Sequence, residues 1–175
     1  MGWDRVRTDV PRVAAILRAL LVTGVAFAAL LIATPVAEGT IRLEHSIAGV
    51  RLGMTRSQVV AVAGSPDRIR IVPNPFVPFT VYQYGAGNSE LEVTFFAGKR
   101  VTEVTTTRSA ERTPSGIGRG STLAALRRHI PRLSCVSAFA KTICARGDGS
   151  RATQFIVESG RVAESSVAFV TPISP

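Results

Sequence analysis

The stretch Gly49–Pro66, GVRLGMTRSQVVAVAGSP, is echoed 67 positions later by Gly116–Pro131, GIGRGSTLAALRRHIP. Each phrase starts and stops a short helix. In the first, Thr55 and Gln58 have the spacing of a capping box, in which the threonine hydroxyl takes a backbone N–H and the glutamine reaches back. Val59, Val60, Val62 and Ala63 then supply an apolar face, Gly64 stands where a helix ends, and Pro66 forbids continuation. In the second, Ser121 or Thr122 caps, Leu123, Leu126 and Ile130 form the apolar stripe, and Pro131 is the stop. A helix of about nine residues, roughly 13 Å long, does not hold itself in water and must lie on something.

What it lies on follows each phrase. FTVYQY (Phe79–Tyr84), ELEVTFF (Glu90–Phe96) and RVTEVTT (Arg100–Thr106) are rich in β-branched and aromatic residues and are separated by GAGNS and AGK. Leu91, Val93 and Phe95 alternate with Glu92 and Thr94, so one face of this sheet is buried and the other wet. In the later half TICA, ATQFIV and RVAESSVAFV give the strands, and the hairpin FIVESGRVAES matches FFAGKRVTEV of the first. IVPNPFVPF, with Pro73, Pro75 and Pro78, reads as a loop. The expected fold is α+β: two tandem repeats, 40–112 and 113–175, each a short helical segment packed on a three- to four-stranded antiparallel sheet. A unit of this size is marginal alone, and joining two sheets removes exposed edges.

Residues 1–39 read differently. Four arginines precede the uncharged run Ala19–Val36, 18 residues long, followed by small residues. This is the pattern of a secretory signal peptide or, uncleaved, of an N-terminal membrane anchor. Either places the remainder outside the cytoplasm. There, Cys135 and Cys144 are expected to pair with each other, closing VSAFAKTI as a loop or hairpin. Only His129 lies near enough to suggest a metal, too few ligands for one. From Thr40 onward 17 Lys and Arg stand against 9 Asp and Glu, and 15 of the 17 are arginine. Such a surface attracts acidic polymers or anionic lipid. It has no long charge run and no basic–aromatic interleaving, so no nucleic-acid partner is expected.

The phrase GVRLGMTRSQVVAVAGSPD, taken with ELEVTFFAGKRVTEV, resembles the small outer-membrane assembly lipoproteins of the SmpA/OmlA (BamE) type. The matching positions are Gly53, Met54, Thr55, Gln58, Val59, Gly64 and Pro66, then Phe95, Gly98, Arg100 and Val101. Two copies in tandem are similar in architecture to the secreted beta-lactamase-inhibitory proteins. The resemblance implies two helix-and-sheet repeats forming one concave sheet. The lipoproteins' lipid-attachment cysteine is absent here, and cysteines occur only in the second half.

No Gly-x-Ser-x-Gly elbow, phosphate-binding glycine loop or metal cluster stands out, so no catalytic residue and no cofactor is assigned. A cryptic hydrolase would require Ser57, Ser121 or Ser134 to meet His45 or His129 in space. RGD at Arg146–Asp148 has the chemistry of a hairpin turn. Alternation in FTVYQY places Phe79, Val81 and Gln83 on one face and Thr80, Tyr82 and Tyr84 on the other. Tyr82 and Tyr84, with Phe76 in the neighbouring loop, are the candidate partner-binding residues, cross-strand packing being the alternative for the tyrosines. The expected function is an exported, non-enzymatic module that binds an envelope or extracellular protein. Attachment to an acidic wall polymer or anionic membrane surface is the second expectation.

Overall fold

The computed structural model describes residues 40–75, 77–97 and 99–170. Three two-residue strands, β1 (Ile41–Arg42), β2 (Ser46–Ile47) and β3 (Val50–Arg51), form a small antiparallel sheet that leads into α1 (Arg56–Ala63). Strands β4 (Arg68–Val72), β5 (Phe79–Ala86), β6 (Ser89–Phe96) and β7 (Arg100–Thr106) follow as a meander. Then come α2 (Leu123–His129) and a second meander, β8 (Ser134–Ala138), β9 (Lys141–Gly147), β10 (Arg151–Glu158) and β11 (Arg161–Phe169). All eight long strands belong to one antiparallel sheet in the order β4-β5-β6-β7-β11-β10-β9-β8.

This corrects the expected α+β class. The protein is mostly β, with an eight-stranded sheet, a three-stranded sheet and only two short helices. Pairing of β7 with β11, in which Val104 opposes Val167 and Thr106 opposes Ser165, fuses the meanders. Arg68–Val72, read partly as loop, became an edge strand because Ile69 and Ile71 pair with Tyr82 and Thr80. The lead-in Ile41–Arg51 became strands because Ile41, Ile47 and Val50 can then be buried together.

Each helix start is held to the last hairpin of its half by the same contacts. Gly53 N donates to Val101 O (2.8 Å), Val101 N to Met54 O (2.9 Å), and Arg100 Nη1 to Gly53 O (2.9 Å). Gly120 N donates to Val162 O (2.8 Å), Val162 N to Ser121 O (2.8 Å), and Arg161 Nη1 to Gly120 O (3.0 Å). Gly53 and Gly120 have φ of 83° and 86°, a conformation that side chains with a Cβ resist. Both hairpins carry a register shift, at Thr94/Phe95 and at Ile156/Val157. The capping box of Thr55 and Gln58 is formed; in α2 Thr122, not Ser121, caps, accepting from Ala125 N.

The core lies on the helix side of the sheet in two apolar clusters. One gathers Val59, Tyr82, Leu91, Val93, Phe95 and Val104 with the small sheet; the other gathers Leu126, Ile130, Cys144, Phe155 and Val162. Leu43 packs against both. The expected apolar face of α1 is only partly used: Val59 is buried, whereas Val60 and Val62 are exposed. Residues 1–39, expected as signal peptide or anchor, lie outside the described residues; no helix among the described residues is long and apolar enough to cross a membrane.

Candidate recognition surface

Strand alternation divides the large sheet into a face covered by the helices and an open face. Tyr82 and Tyr84 belong to the covered one. They pair with Val93 and Leu91 and are 8% and 4% exposed. The Tyr82 ring meets Phe95 edge-on at 4.8 Å, and the Arg56 guanidinium lies over both rings. Tyr84 OH donates to Gly64 O (3.3 Å), and burial, with Tyr82 and Asp67 nearby, pushes its pKa up. Two side chains held in this way pack the core and present no surface to a partner. Phe76 lies outside the described residues.

The open face is built from the other set. Across it run directly opposed residues Gln83, Glu92, Thr105, Ser166 and Gln154, one from each of five adjacent strands. Beside that row lies Val81, Thr94, Glu103, Ala168 and Ala152. At one end a cleft of about 570 Å³ opens between Phe79, Phe96 and Phe169, with Glu103, Thr94 and Asn74 also lining it. Phe79 and Phe96 are cross-strand partners with ring centroids 5.7 Å apart, a tilted aromatic pair. Phe96 stays in water, 45% exposed. Phe169, which follows open-face Ala168 and opposes Arg151, belongs by alternation to the covered side, where the Arg151 guanidinium stacks over it at 5.7 Å, and it meets the cleft only at its rim.

Carboxylates gather on this same face of a strongly basic chain. Glu92 is paired with Arg70 (2.5 Å) and accepts from Gln83 Nε2 (2.8 Å); Gln83 also donates to Glu90. Glu103 is pushed above its ordinary value, mostly by burial and then by Glu164 and Glu92. Glu164 is pushed up by burial and by Glu92, with Lys141 opposing. Each carboxylate stands in the field of the others, so a cation arriving here relieves repulsion as well as making a contact.

The other candidate chemistry is placed as follows. Cys135 and Cys144 are joined, bridging β8 and β9. In the RGD turn Asp148 Oδ1 accepts from Ser150 N (3.0 Å) and Arg151 N (2.8 Å), while Arg146 is turned inward onto Glu44. Those turn bonds hold the Asp148 carboxyl below its ordinary value. His45 Nδ1 donates to Leu43 O (2.9 Å), and among the described residues neither histidine is hydrogen-bonded to a serine. No group of three or more metal-ligating side chains occurs among the described residues.

The aromatic cleft was legible in the alternation of the sequence, which places Phe79 opposite the tyrosines and Phe96 opposite Phe95. The same alternation leaves open which face is buried, and the structure buries the tyrosine face.

No protein-family model matches the chain, and no curated protein does. Among solved structures it is similar to a cysteine-rich secretory protein of Staphylococcus aureus (TM-score 0.47, 14% identity), the match covering 67% of this chain and 44% of that one. It is similar to a DUF4309 family protein of Bacillus subtilis (0.46, 13%), over 73% of this chain and 88% of that one. A candidate beta-lactamase inhibitor protein of Streptococcus mutans is more distant (0.30, 10%), over 66% and 82%. The chain thus spans less than half of the first of these, and at such scores no function passes from them to it.

Proposed function

We propose that this chain is an exported binding module that grips a protein partner with the open face of its eight-stranded sheet. The observation that carries the reading is the juxtaposition of water-exposed Phe96, paired with Phe79, with the half-buried carboxylate of Glu103 in one cleft. Rigid aromatic anchors beside a charge in a partly desolvated cleft are the usual makings of an affinity centre. The partner segment that fits is apolar and carries a lysine or arginine. The disulfide supports a place outside the reducing cytoplasm. The reading as two tandem repeats, 40–112 and 113–175, is supported by the recurring glycine–arginine clamp and by the mirrored strand order.

A second reading, attachment to an anionic polymer or membrane surface, is favoured by Arg42 and Arg51. They flank Ser46 on three adjacent strands and line one cleft with His45, away from the acidic face. Salt separates the two readings, because attachment through exposed charges weakens steeply as ions are added. The full chain is used to capture protein from envelope extract and medium, with low- and then high-salt washes. A single protein that survives high salt and is lost in Phe96→Ser supports the open face. Retention of anionic polymer alone, released by salt, supports the basic cleft and overturns the first reading.

A further inference from the structure

We propose that the free edge of β8 is a self-association site, where a second copy of this chain adds its own β8 antiparallel across a two-fold axis at Val136. This contact lies on the rim of the sheet and is independent of what the open face binds.

The two edges of the large sheet are built differently. The β4 edge carries Arg68 and Arg70 and runs into Pro73, Pro75 and Pro78, the charges and prolines that keep an edge from pairing. The β8 edge, Ser-Cys-Val-Ser-Ala, has neither charge nor proline. Its hydrogen-bonding phase is set by the Cys135–Cys144 pair, whose Cα atoms are 4.0 Å apart. That closeness belongs to a non-hydrogen-bonded antiparallel pair, so the N–H and C=O of Cys135 and Ser137 point away from β9. Among the described residues no further strand meets them.

A two-fold axis at Val136 uses all four of those groups. Cys135 then opposes Ser137 of the second copy in hydrogen-bonded pairs on both sides, and Val136 opposes its own counterpart. Val136 is 65% exposed and continues an apolar row through Ile143 and Ile156. The hairpin tip beside this edge is apolar as well. Phe139 is 100% exposed, and it and Ala140 form the hairpin tip with φ of 50° and 62°, left-handed values in two residues that have a Cβ.

A second copy fits better than a foreign strand because the segment is self-complementary and uncharged within a chain of net charge +9. Pairing β4 with β4 would instead oppose arginines. Pairing β8 with β4 would be head-to-tail, leaving free edges and growing fibres.

The test places a cysteine on the axis of the full chain. In mild oxidant, Val136→Cys gives a covalent dimer on a non-reducing gel, since Cβ atoms of such a pair lie within disulfide reach. Ile71→Cys, at the 71%-exposed position on the opposite edge, does not. Adding Ser137→Pro to Val136→Cys removes an outward N–H and lowers dimer yield at least tenfold. Thiol labelling and circular dichroism verify that Cys135–Cys144 and the fold are intact in each variant. Equal cross-linking at 71 and 136, indifference to the proline, or a ladder of higher oligomers overturns the proposal. Sedimentation of the wild type supplies a second readout: a concentration-dependent dimer supports the contact, and a monomer throughout refutes it.

Discussion

Glu44 Oε1 lies 2.7 Å from Arg146 Nε, an almost fully buried ion pair that ties the lead-in of the first half to β9 of the second. Glu44 also donates its backbone N–H to Thr153 Oγ1 (2.6 Å) on β10. The Nε–H of Arg146 is not aimed at the carboxylate, so the contact is ionic rather than a directed hydrogen bond. Together with Leu43, which packs on both apolar clusters, this pair makes the small sheet a bracket across the two halves.

Removing one partner strands the other in the interior, at a cost of about 3 kcal/mol. Arg146→Met is therefore expected to lower the urea midpoint strongly, and Glu44→Gln/Arg146→Met to recover part of the loss. A single-variant cost under about 0.5 kcal/mol, the level of a surface pair, would show that the bracket contributes little.

The Cys135–Cys144 bridge closes a short loop, separation 9, for which loop entropy gives about 2–3 kcal/mol. It joins an edge strand held on one side only. Cys135→Ser/Cys144→Ser is expected to abolish hydrogen-exchange protection in β8 first, while β5, β6 and β7 keep theirs. Uniform loss across the sheet would show that the bridge supports the whole fold rather than its rim.

Glu103 and Glu164 both have raised values in the folded protein. In the window above their ordinary value of 4.5, the folded chain binds more protons than the unfolded one, so stability falls as pH rises through that window and is regained on acidification. Glu103→Gln is expected to flatten this dependence and to stabilise the protein at neutral pH. Unfolding followed from pH 4.5 to 7 tests the sign, and a profile rising with pH in both proteins contradicts it.

How legible this was depended on scale. Local chemistry read well: Thr55, Gln58 and Gly64 delimit α1 as their side chains require, and Leu91, Val93 and Phe95 are buried as their alternation indicates. Long-range pairing did not. Nothing in Thr106 or Ser165 announces that β7 and β11 adjoin, because either strand is equally satisfied by any partner that matches its pleat. The tyrosines misled for a related reason. Thr80, Tyr82 and Tyr84 look amphipathic, yet Arg56 and Gly64 supply polar partners on the covered side, so an apparently wet face could be buried. Glu44 gave no signal at all, since its partners stand more than a hundred positions later.

The most direct test of the open face is site-specific photocrosslinking in cells that make the full chain. A photoreactive phenylalanine analogue is placed at Phe96, at Thr94 and, on the helix side, at exposed Val62. The account predicts one discrete adduct with another protein from both sheet positions, none from Val62, and loss of the Phe96 adduct when Glu103→Arg is added. Adducts from Val62 alone, or a sheet adduct indifferent to Glu103→Arg, would contradict it.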